Sequence, residues 1–568
     1  MSSARIARRS IPGATPALSH MHPVLARLYA ARGVLTADEV EHRLANLVSP
    51  RVLGGLDAAV ELLVDAIRRD RSILVAGDYD CDGATGTTVA MRGLRLLGAR
   101  HVDFVIPDRF VHGYGLTPAL VASVPTAPDL LITVDNGIAS VEGVAAARAR
   151  GSHVLVTDHH LPGDTLPDAN AIVNPRLRGP ALENLAGVGV MFYLLLATRA
   201  KLRDSGAFRG KPEPDLATLL DLVALGTVAD LVPLDRNNRV LVEAGLRRIR
   251  SGRASAGVTA LILAAGRNPT TLTSADIAFA VAPRINAAGR LDDMRVGVQC
   301  LLSDNPAEAE VLATRLSSIN AERRELQSSM LLDAERGIAE ASAGDAVGVT
   351  LFDASWHAGV VGLVASKAKE RLHRPVVAFA PAGEGGSALR GSARSIAGFH
   401  VRDALVEIAA REPGMIARFG GHAMAAGLEL PAAELPRFAA AFDRCAREHL
   451  SDDDLRQVLW SDGGLEPAEI NLDLARLLRH AAPWGQGFPA PLFDNVFECV
   501  MQRPMGQGHR RLTLRDPRDG AEHEAVMFNV ERDLPMHTTL HVAYELTVND
   551  WQGRESARLL LRHVAQPS

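Results

Sequence analysis

The sequence predicts an α/β chain built as a parallel-sheet domain, a long connector helix, a second α/β domain and a strand-rich C-terminal part. Three observations lead there. In the first half, short aliphatic or β-branched runs alternate with Ala/Leu/Arg-rich stretches, the pattern of strands and crossover helices in a parallel sheet. Residues 305–340, beginning Asn305-Pro306-Ala307-Glu308, carry apolar residues at helical spacing among many charges. After Trp484-Gly485-Gln486-Gly487-Phe488-Pro489 come alternating segments such as Thr539–Leu546, which suit antiparallel strands.

Taken in order, residues 1–40 read as a tail and short helical lead-in, with Ser2–Arg9 a flexible basic tail. The parallel-sheet domain spans 41–270. Its first apolar run, Ser72–Ala76, leads into Gly77-Asp78-Tyr79-Asp80-Cys81-Asp82-Gly83. Carboxylates two apart on an extended segment share a face, and the glycines let the chain turn. The run Leu131–Val134 ends in Asp135-Asn136-Gly137, and His153–Thr157 ends in Asp158-His159-His160. Segments 86–98 and 141–150 between these motifs read as helices. Residues 271–340 form a helical connector. The second α/β domain, 341–450, opens with the strand Ala346–Phe352 and the turn Trp356-His357-Ala358-Gly359, and Pro381–Gly386 reads as a surface hairpin loop. Residues 451–568 form the strand-rich part.

Strands of one parallel sheet end on the same crevice, so the three motifs converge. Taken singly, Asp135 is an ordinary strand-end aspartate, Asp158 a turn former and His159-His160 a structural pair. Repeated on successive strands, they favour a site for a hard divalent cation. An aspartate flanked by Val228, Ala229, Leu231 and Val232 is expensive to bury unless paired or metal-bound, which adds Asp230 as a ligand. Asp221 either joins it or caps a helical turn. Gly391-Ser392-Ala393-Arg394-Ser395 offers backbone N–H groups, two hydroxyls and a guanidinium, a cradle for a terminal phosphate. Gly420-Gly421-His422 offers close backbone approach and an imidazole. On residues alone, each is also a tight structural turn.

In this order, Asp80-Cys81-Asp82, Asp135, Asp158-His159-His160 and Asp230 resemble the four motifs of the DHH phosphoesterase superfamily. Further stretches extend the resemblance, over residues 20–565, to its single-strand-specific exonuclease branch. They are Pro107–Leu116, Leu185–Val190, Pro283–Leu291, Trp356–Gly362, Gly391–Ser395 and Phe419–Gly427. The resemblance implies a DHHA1-type second domain and a C-terminal OB-fold barrel. It implies two cations, Mn²⁺ or Mg²⁺, held by Asp78, Asp80, Asp82, Asp135, His159 and Asp230, with Asp135 bridging; the mixed imidazole and carboxylate set leans towards Mn²⁺. Asp158 then orients a histidine and His160 contacts the scissile phosphate. Substrate contacts would come from Arg109, Tyr114, Arg284, Asn286, Arg290, His357, Ser392, Arg394, Ser395, Gly420, Gly421 and His422. The implied activity is 5′→3′ hydrolysis of single-stranded DNA to mononucleotides in recombination and repair, by a monomer, with single-strand-binding protein and a helicase as partners. Many superfamily members carry a histidine four residues before the first aspartate, where this chain has Ala76. Either Asp78 supplies that ligand or the first cation is held more loosely.

Two other readings stand beside this one. A phosphodiesterase for short oligonucleotides or cyclic dinucleotides has no need of an added strand-binding module. A non-catalytic scaffold has no need to keep every metal carboxylate.

The remaining composition narrows the class. The net charge of −5 does not advertise nucleic-acid binding, and part of it belongs to the metal carboxylates. Nearly all basic residues are arginines, which grip phosphates bidentately, though such a bias also follows genomic base composition. Aromatics make up 4%, so base stacking must be sparse, with Phe110, Tyr114 and Trp356 as candidates. Trp551 either stacks a base or plugs the barrel end. Cys81, Cys300, Cys445 and Cys499 show no zinc spacing or disulfide framework, which points to the reducing cytoplasm. No stretch reaches the ~20 apolar residues of a membrane span, and no signal core opens the chain.

Overall fold

The structure, a computed structural model, describes residues 4–11, 18–109, 111–382, 387–506, 508–530 and 533–566. Four or five consecutive apolar residues, buried on both faces, belong inside a sheet covered by helices. Ile73–Ala76 (β1) and Leu130–Val134 (β3) are such runs. With Val102–Val105 (β2), His153–Thr157 (β4) and Ala171–Val173 (β5) they form an all-parallel sheet in the order β2-β1-β3-β4-β5. The registers pair Ala76 with Thr133 and Thr133 with Val156, so the three motif-bearing strands end level. The chain steps from β1 out to β2 and back across to β3. That reversal opens a crevice at the carboxyl ends of β1 and β3.

Helix Cys81–Leu97 (α1) starts at the end of β1 and packs against Gly187–Asp204 (α2) and Leu220–Ala229 (α3). Glycine inside a helix costs about 0.5–1 kcal/mol, so Gly86 and Gly93 need a reason. A Cβ on Gly86 would lie 2.6 Å from Val134 Cγ1, and one on Gly93 would overlap the Leu195 side chain. Close packing of α1 on sheet and helix is that reason.

Ala282–Leu291 (α4) leads towards the connector helix Pro306–Ala343 (α5), whose 38 residues span about 57 Å. Ala313 and Leu316 on α5 are buried in the first core, Met330, Ala334 and Ile338 in that of the second domain. The second domain carries a mixed sheet: Val349–Phe352 runs parallel to Val376–Pro381, and Ala388–Arg394, Ala425–Pro431 and Arg418–Gly421 follow antiparallel. The expected hairpin loop joins two of these strands, and its residues 383–386 lie outside those described. Five strands between Phe493 and Ala565 close into a barrel, antiparallel except where Ala525–Met527 meets Leu559–Leu561. Fold class thus agrees with the sequence reading.

The N-terminus departs from it. Ser2–Arg9 was expected as a flexible basic tail, yet Arg5–Arg8 is a strand, parallel to Val458–Ser461 at the entrance to the barrel. A backbone ladder and an ion pair hold it there. Arg8 Nε and Nη2 donate to Asp494 at 3.1 and 2.9 Å, and His541 Nε2 lies 2.9 Å from the same carboxylate. No helix among the described residues is long and apolar enough to cross a membrane.

His42 is 5% exposed, and its Nε2 finds no hydrogen-bond partner. Burial, reinforced by the positive charges of Arg239 and Arg247, pushes its pKa down to about 4. The unfolded chain takes up a proton on this ring below about pH 6.5 and the folded chain only near pH 4. Stability is therefore lost as pH falls across that window, by roughly 3 kcal/mol at most. We expect His42→Gln to flatten the fall in urea midpoint between pH 7.5 and 5. An unchanged slope would assign the acid sensitivity elsewhere.

Candidate active site

The crevice collects the acidic motifs as the sheet directs, but the first motif is not extended throughout. The chain turns helical at Cys81, with Asp80 as the N-cap of α1, its Oδ1 accepting from Gly83 N–H at 3.0 Å. The expected common face of Asp78, Asp80 and Asp82 is therefore lost. Asp82 lies inside the helix and points to a different set of partners. Its Oδ2 and Oδ1 accept from Gly187 and Val188 N–H, at 2.6 and 3.0 Å, at the N-terminus of α2.

Three overlapping groups of donor atoms result. Asp82, His159 and Asp230 form one, Asp78, Asp80 and Asp135 a second, and Asp135, His159 and His160 link them. His159 Nε2 lies 3.0 Å from Asp135 Oδ1, 3.5 Å from Asp230 Oδ2 and 4.0 Å from Asp82 Oδ2. Asp135 holds its place with φ 63°, the left-handed region that a non-glycine residue adopts only when its surroundings impose it. Gly187 allows this, because a Cβ there would sit 2.5 Å from Asp135 Cβ.

The donor set fits divalent cations. Asp78 Oδ1, Asp135 Oδ1 and His159 Nε2 are buried and lack a hydrogen-bond partner, an expensive state for polar atoms unless a ligand satisfies them. Burial and then the neighbouring carboxylates push Asp78, Asp135 and Asp230 well up, and Asp82 up to about 7. Burial, and then the charge of His160, pushes His159 down to about 3, leaving a neutral imidazole. Neutral imidazole with hard carboxylates is a Mn²⁺ or Mg²⁺ ligand set, and a bound cation lets the acids ionise together.

Asp158 is not part of that set. Its oxygens accept from Ile138, His159 and His160 N–H groups and from His160 Nδ1 at 2.7 Å. Burial alone would lower the His160 pKa, but the Asp158 hydrogen bond and charge outweigh it and raise it to about 9. Asp221 is also elsewhere. It is fully buried under Ser255, whose N–H it accepts at 2.7 Å, so it holds a loop.

Beside the carboxylates is a cavity of about 240 Å³, lined by Asp78, Tyr79, Asp80, Arg109, Tyr114, His160, Asn286, Gly289 and Arg290. Arg290, buried and repelled by Arg109 and Arg394, is lowered to about 10. No ion pair involves any of these three arginines among the described residues. Arg394 donates to Ser392 Oγ at 2.9 Å and Ser366 Oγ at 3.2 Å. His357 Nδ1 accepts from Gly359 N–H, and Gly359 O accepts from Arg290, which ties the second domain to the cavity wall. The His422 and His160 rings stack at 6.1 Å. Gly421, with φ 147°, lets the strand bearing His422 pass Ala425 and Ala426. Gly420 pairs with Gly427 and has open space around it.

Several expected contacts fall away. Arg284 lies two residues, about 200° of helix, from Asn286; it donates instead to Ser317 Oγ on α5 and to backbone carbonyls. Ser395 follows the wrong alternation on its strand, and its hydroxyl donates to Phe399 O at 2.6 Å. Asn286 stays on the cavity wall, and its Oδ1 accepts Cys81 N–H, so it also sets the start of α1. Trp356 is 5% exposed in the second core, whereas Trp551 is 71% exposed at a hairpin tip and so is no barrel plug. Phe110 lies outside the described residues. The sequence reading passed over Tyr79, whose ring lies 4.4 Å under the Arg109 guanidinium and meets Tyr114 edge-on. Its position between two aspartates, on the opposite alternation, was the available signal.

Three family models match this chain: the DHH family N-terminal domain over 72–227, the DHHA1 domain over 344–448 and the RecJ OB domain over 461–563. The single-stranded-DNA-specific exonuclease RecJ of Dickeya dadantii is 46% identical over 569 residues, 98% of this chain and 97% of that protein. The chain belongs to the RecJ family. A crystal structure of Thermus thermophilus RecJ with Mn²⁺ superposes with a TM-score of 0.81 at 32% identity, over 99% of this chain and 79% of that one. The same protein with Mg²⁺ gives 0.77 at 31%, over 99% and 78%. In both RecJ comparisons nearly the whole chain is covered, so the likeness includes the domain order along with the individual domains.

Proposed function

We propose that this chain is a divalent-cation-dependent exonuclease that hydrolyses single-stranded DNA from its 5′ end to mononucleotides, in recombination and repair. One observation carries this reading. A nest of buried ligand atoms without hydrogen-bond partners stands directly beside a cavity lined by Arg109 and Arg290, neither of which has a carboxylate partner among the described residues. The first suits cations and the second a terminal phosphate, whose charge exceeds that of an internal one. Relatives named as single-stranded-DNA-specific exonucleases, and RecJ structures holding Mn²⁺ or Mg²⁺, support it.

Asp82, Asp135, His159 and Asp230 would hold one cation, and Asp78, Asp80 and Asp135 the other. Bound there, such a pair supplies a nucleophilic water at neutral pH and stabilises charge on the attacked phosphate. Asp158 fixes the ring of His160 and keeps it cationic, so that it offers an N–H to the reacting phosphate. Arg290, Arg394 and Ser392 receive the 5′ phosphate, while Tyr79 and Tyr114 flank the first nucleotide. The barrel, with exposed Trp551 at a hairpin tip, suits a polymer; a dinucleotide would not use it. The four cysteines are free and buried, in keeping with the reducing cytoplasm in which we place the reaction.

The test uses a DNA oligomer labelled at either end, single-stranded and duplex, with Mn²⁺ or chelator. Stepwise mononucleotides from the 5′ end of the single strand alone, lost with chelator, are expected. Internal cuts, or cleavage confined to dinucleotides, would overturn the reading.

A further inference from the structure

Asp230 is the C-cap of α3, and the residue after it is under strain. Leu231 has φ 61° and is 65% exposed. An aliphatic side chain in that region costs roughly 1–3 kcal/mol and persists only where neighbours impose it. Two residues further on, the chain meets its own far end. Leu234 N–H donates to Gln486 O at 2.7 Å, in the turn Trp484–Phe488 ahead of the barrel. A Cβ on Gly487, itself at φ 71°, would lie 3.3 Å from Pro233 Cβ, and one on Gly485 2.7 Å from Leu234 Cδ1. The turn therefore lies flush against Pro233 and Leu234.

The turn is held rigid from every side. Gly485 and Phe488 exchange backbone hydrogen bonds of 2.9 and 3.1 Å. Trp484 and Phe488 stack at 5.3 Å, and Tyr29 stacks on both at 6.2 and 6.3 Å. Arg239 lies 4.2 Å over Phe488, and its Nη1 donates to Leu234 O. Ser274 Oγ donates to Trp484 O at 2.6 Å. Two of the three central residues of the turn are glycines at points where a side chain would meet Pro233 or Leu234, in the segment that follows Asp230.

We infer that the 484–488 turn is a positioning element: it presses on Pro233–Leu234, fixes the strained backbone at Leu231 and so sets the Asp230 carboxylate for its cation. This rests on reading Asp230 as a cation ligand. Gly487 and Gly485 are then positioning residues for a site to which they contribute no atom.

Equilibrium Mn²⁺ binding, by calorimetry without DNA, tests this on the full chain. Gly487→Ala should weaken the cation held by Asp230 roughly ten-fold, the scale of other outer-shell supports, and leave the second cation unchanged. Gly463→Ala is the matched control, because Gly463 has φ 84° in the same linker with open space around it. It carries the same backbone strain and should leave Mn²⁺ binding alone. Asp230→Asn should remove one cation. If it does not, the ligand reading fails; if it does and Gly487→Ala binds like Gly463→Ala, the positioning role fails. Should Gly487→Ala not fold, hydrogen exchange on the unmodified protein decides. Mn²⁺ should slow exchange in 231–234 and 484–488 together, and protection confined to 231–234 would overturn the inference.

Discussion

Asp135→Asn should lower turnover on a single-stranded oligomer by roughly 10³-fold or more, because one carboxylate serves both groups of ligands. The substitution is a clean one. Asparagine has nearly the same volume, so the fit against Gly187 is kept. It also tolerates the left-handed region that Asp135 occupies at φ 63°, so the backbone has no reason to move. What disappears is a negative charge shared by both groups of ligands. Calorimetry should show fewer Mn²⁺ ions bound at equilibrium, with an unchanged melting profile in chelator. Activity within ten-fold of the parent at saturating Mn²⁺ would show that Asp135 does not bridge, and that His159 with Asp82 and Asp230 suffices.

The second large effect is expected at the arginines. Arg394→Ala should cut kcat/KM on a 5′-phosphorylated oligomer by about 10–100-fold, the value of a charge-assisted hydrogen bond to phosphate. The same variant should act almost as the parent does on a 5′-hydroxyl oligomer. The ratio between the two substrates is the measurement, since a general loss of folding would lower both. Burial lowers the Arg394 pKa, and no carboxylate among the described residues offsets it, so its surroundings disfavour this cation. Removing it should not destabilise the free enzyme. A phosphate preference that survives Arg394→Ala and Arg290→Ala alike would place end recognition elsewhere.

Much of this site is legible in the sequence because parallel sheets impose an ordering that a chain read linearly already displays. An apolar run that ends in Asp135, and another that ends in Asp158-His159-His160, must meet if the strands are neighbours. Asp230 could be read from the cost of burying it alone. What local pattern does not contain is which face of an element meets which partner. Arg284 and Arg290 share a helix, yet only Arg290 reaches the cavity. Ser392 and Arg394 share a strand face and hydrogen-bond to each other, while Ser395, one step out of alternation, serves a turn. The divergence of Asp80 from Asp82 depends on a helix starting between them, and the N–H groups that hold Asp82 lie about a hundred residues onward. Trp356 shows the same limit, since an aromatic beside a histidine-bearing turn looks like a stacking platform until the second core is seen to need it.

The pairing of Arg5–Arg8 with Val458–Ser461 sets a timetable for biosynthesis. Arg8 and its partner Asp494 are separated by 486 residues. At roughly 5–20 residues per second, this strand waits roughly 25–100 s for the carboxylate it will grip. Two α/β domains can be complete before that, so this strand settles after them. Until then the barrel lacks one of the hydrogen-bonding groups that hold buried Asp494 below the usual carboxylate range. A fusion placed ahead of Arg5 would therefore sit against the barrel, and it is maturation of the barrel that such an extension would delay.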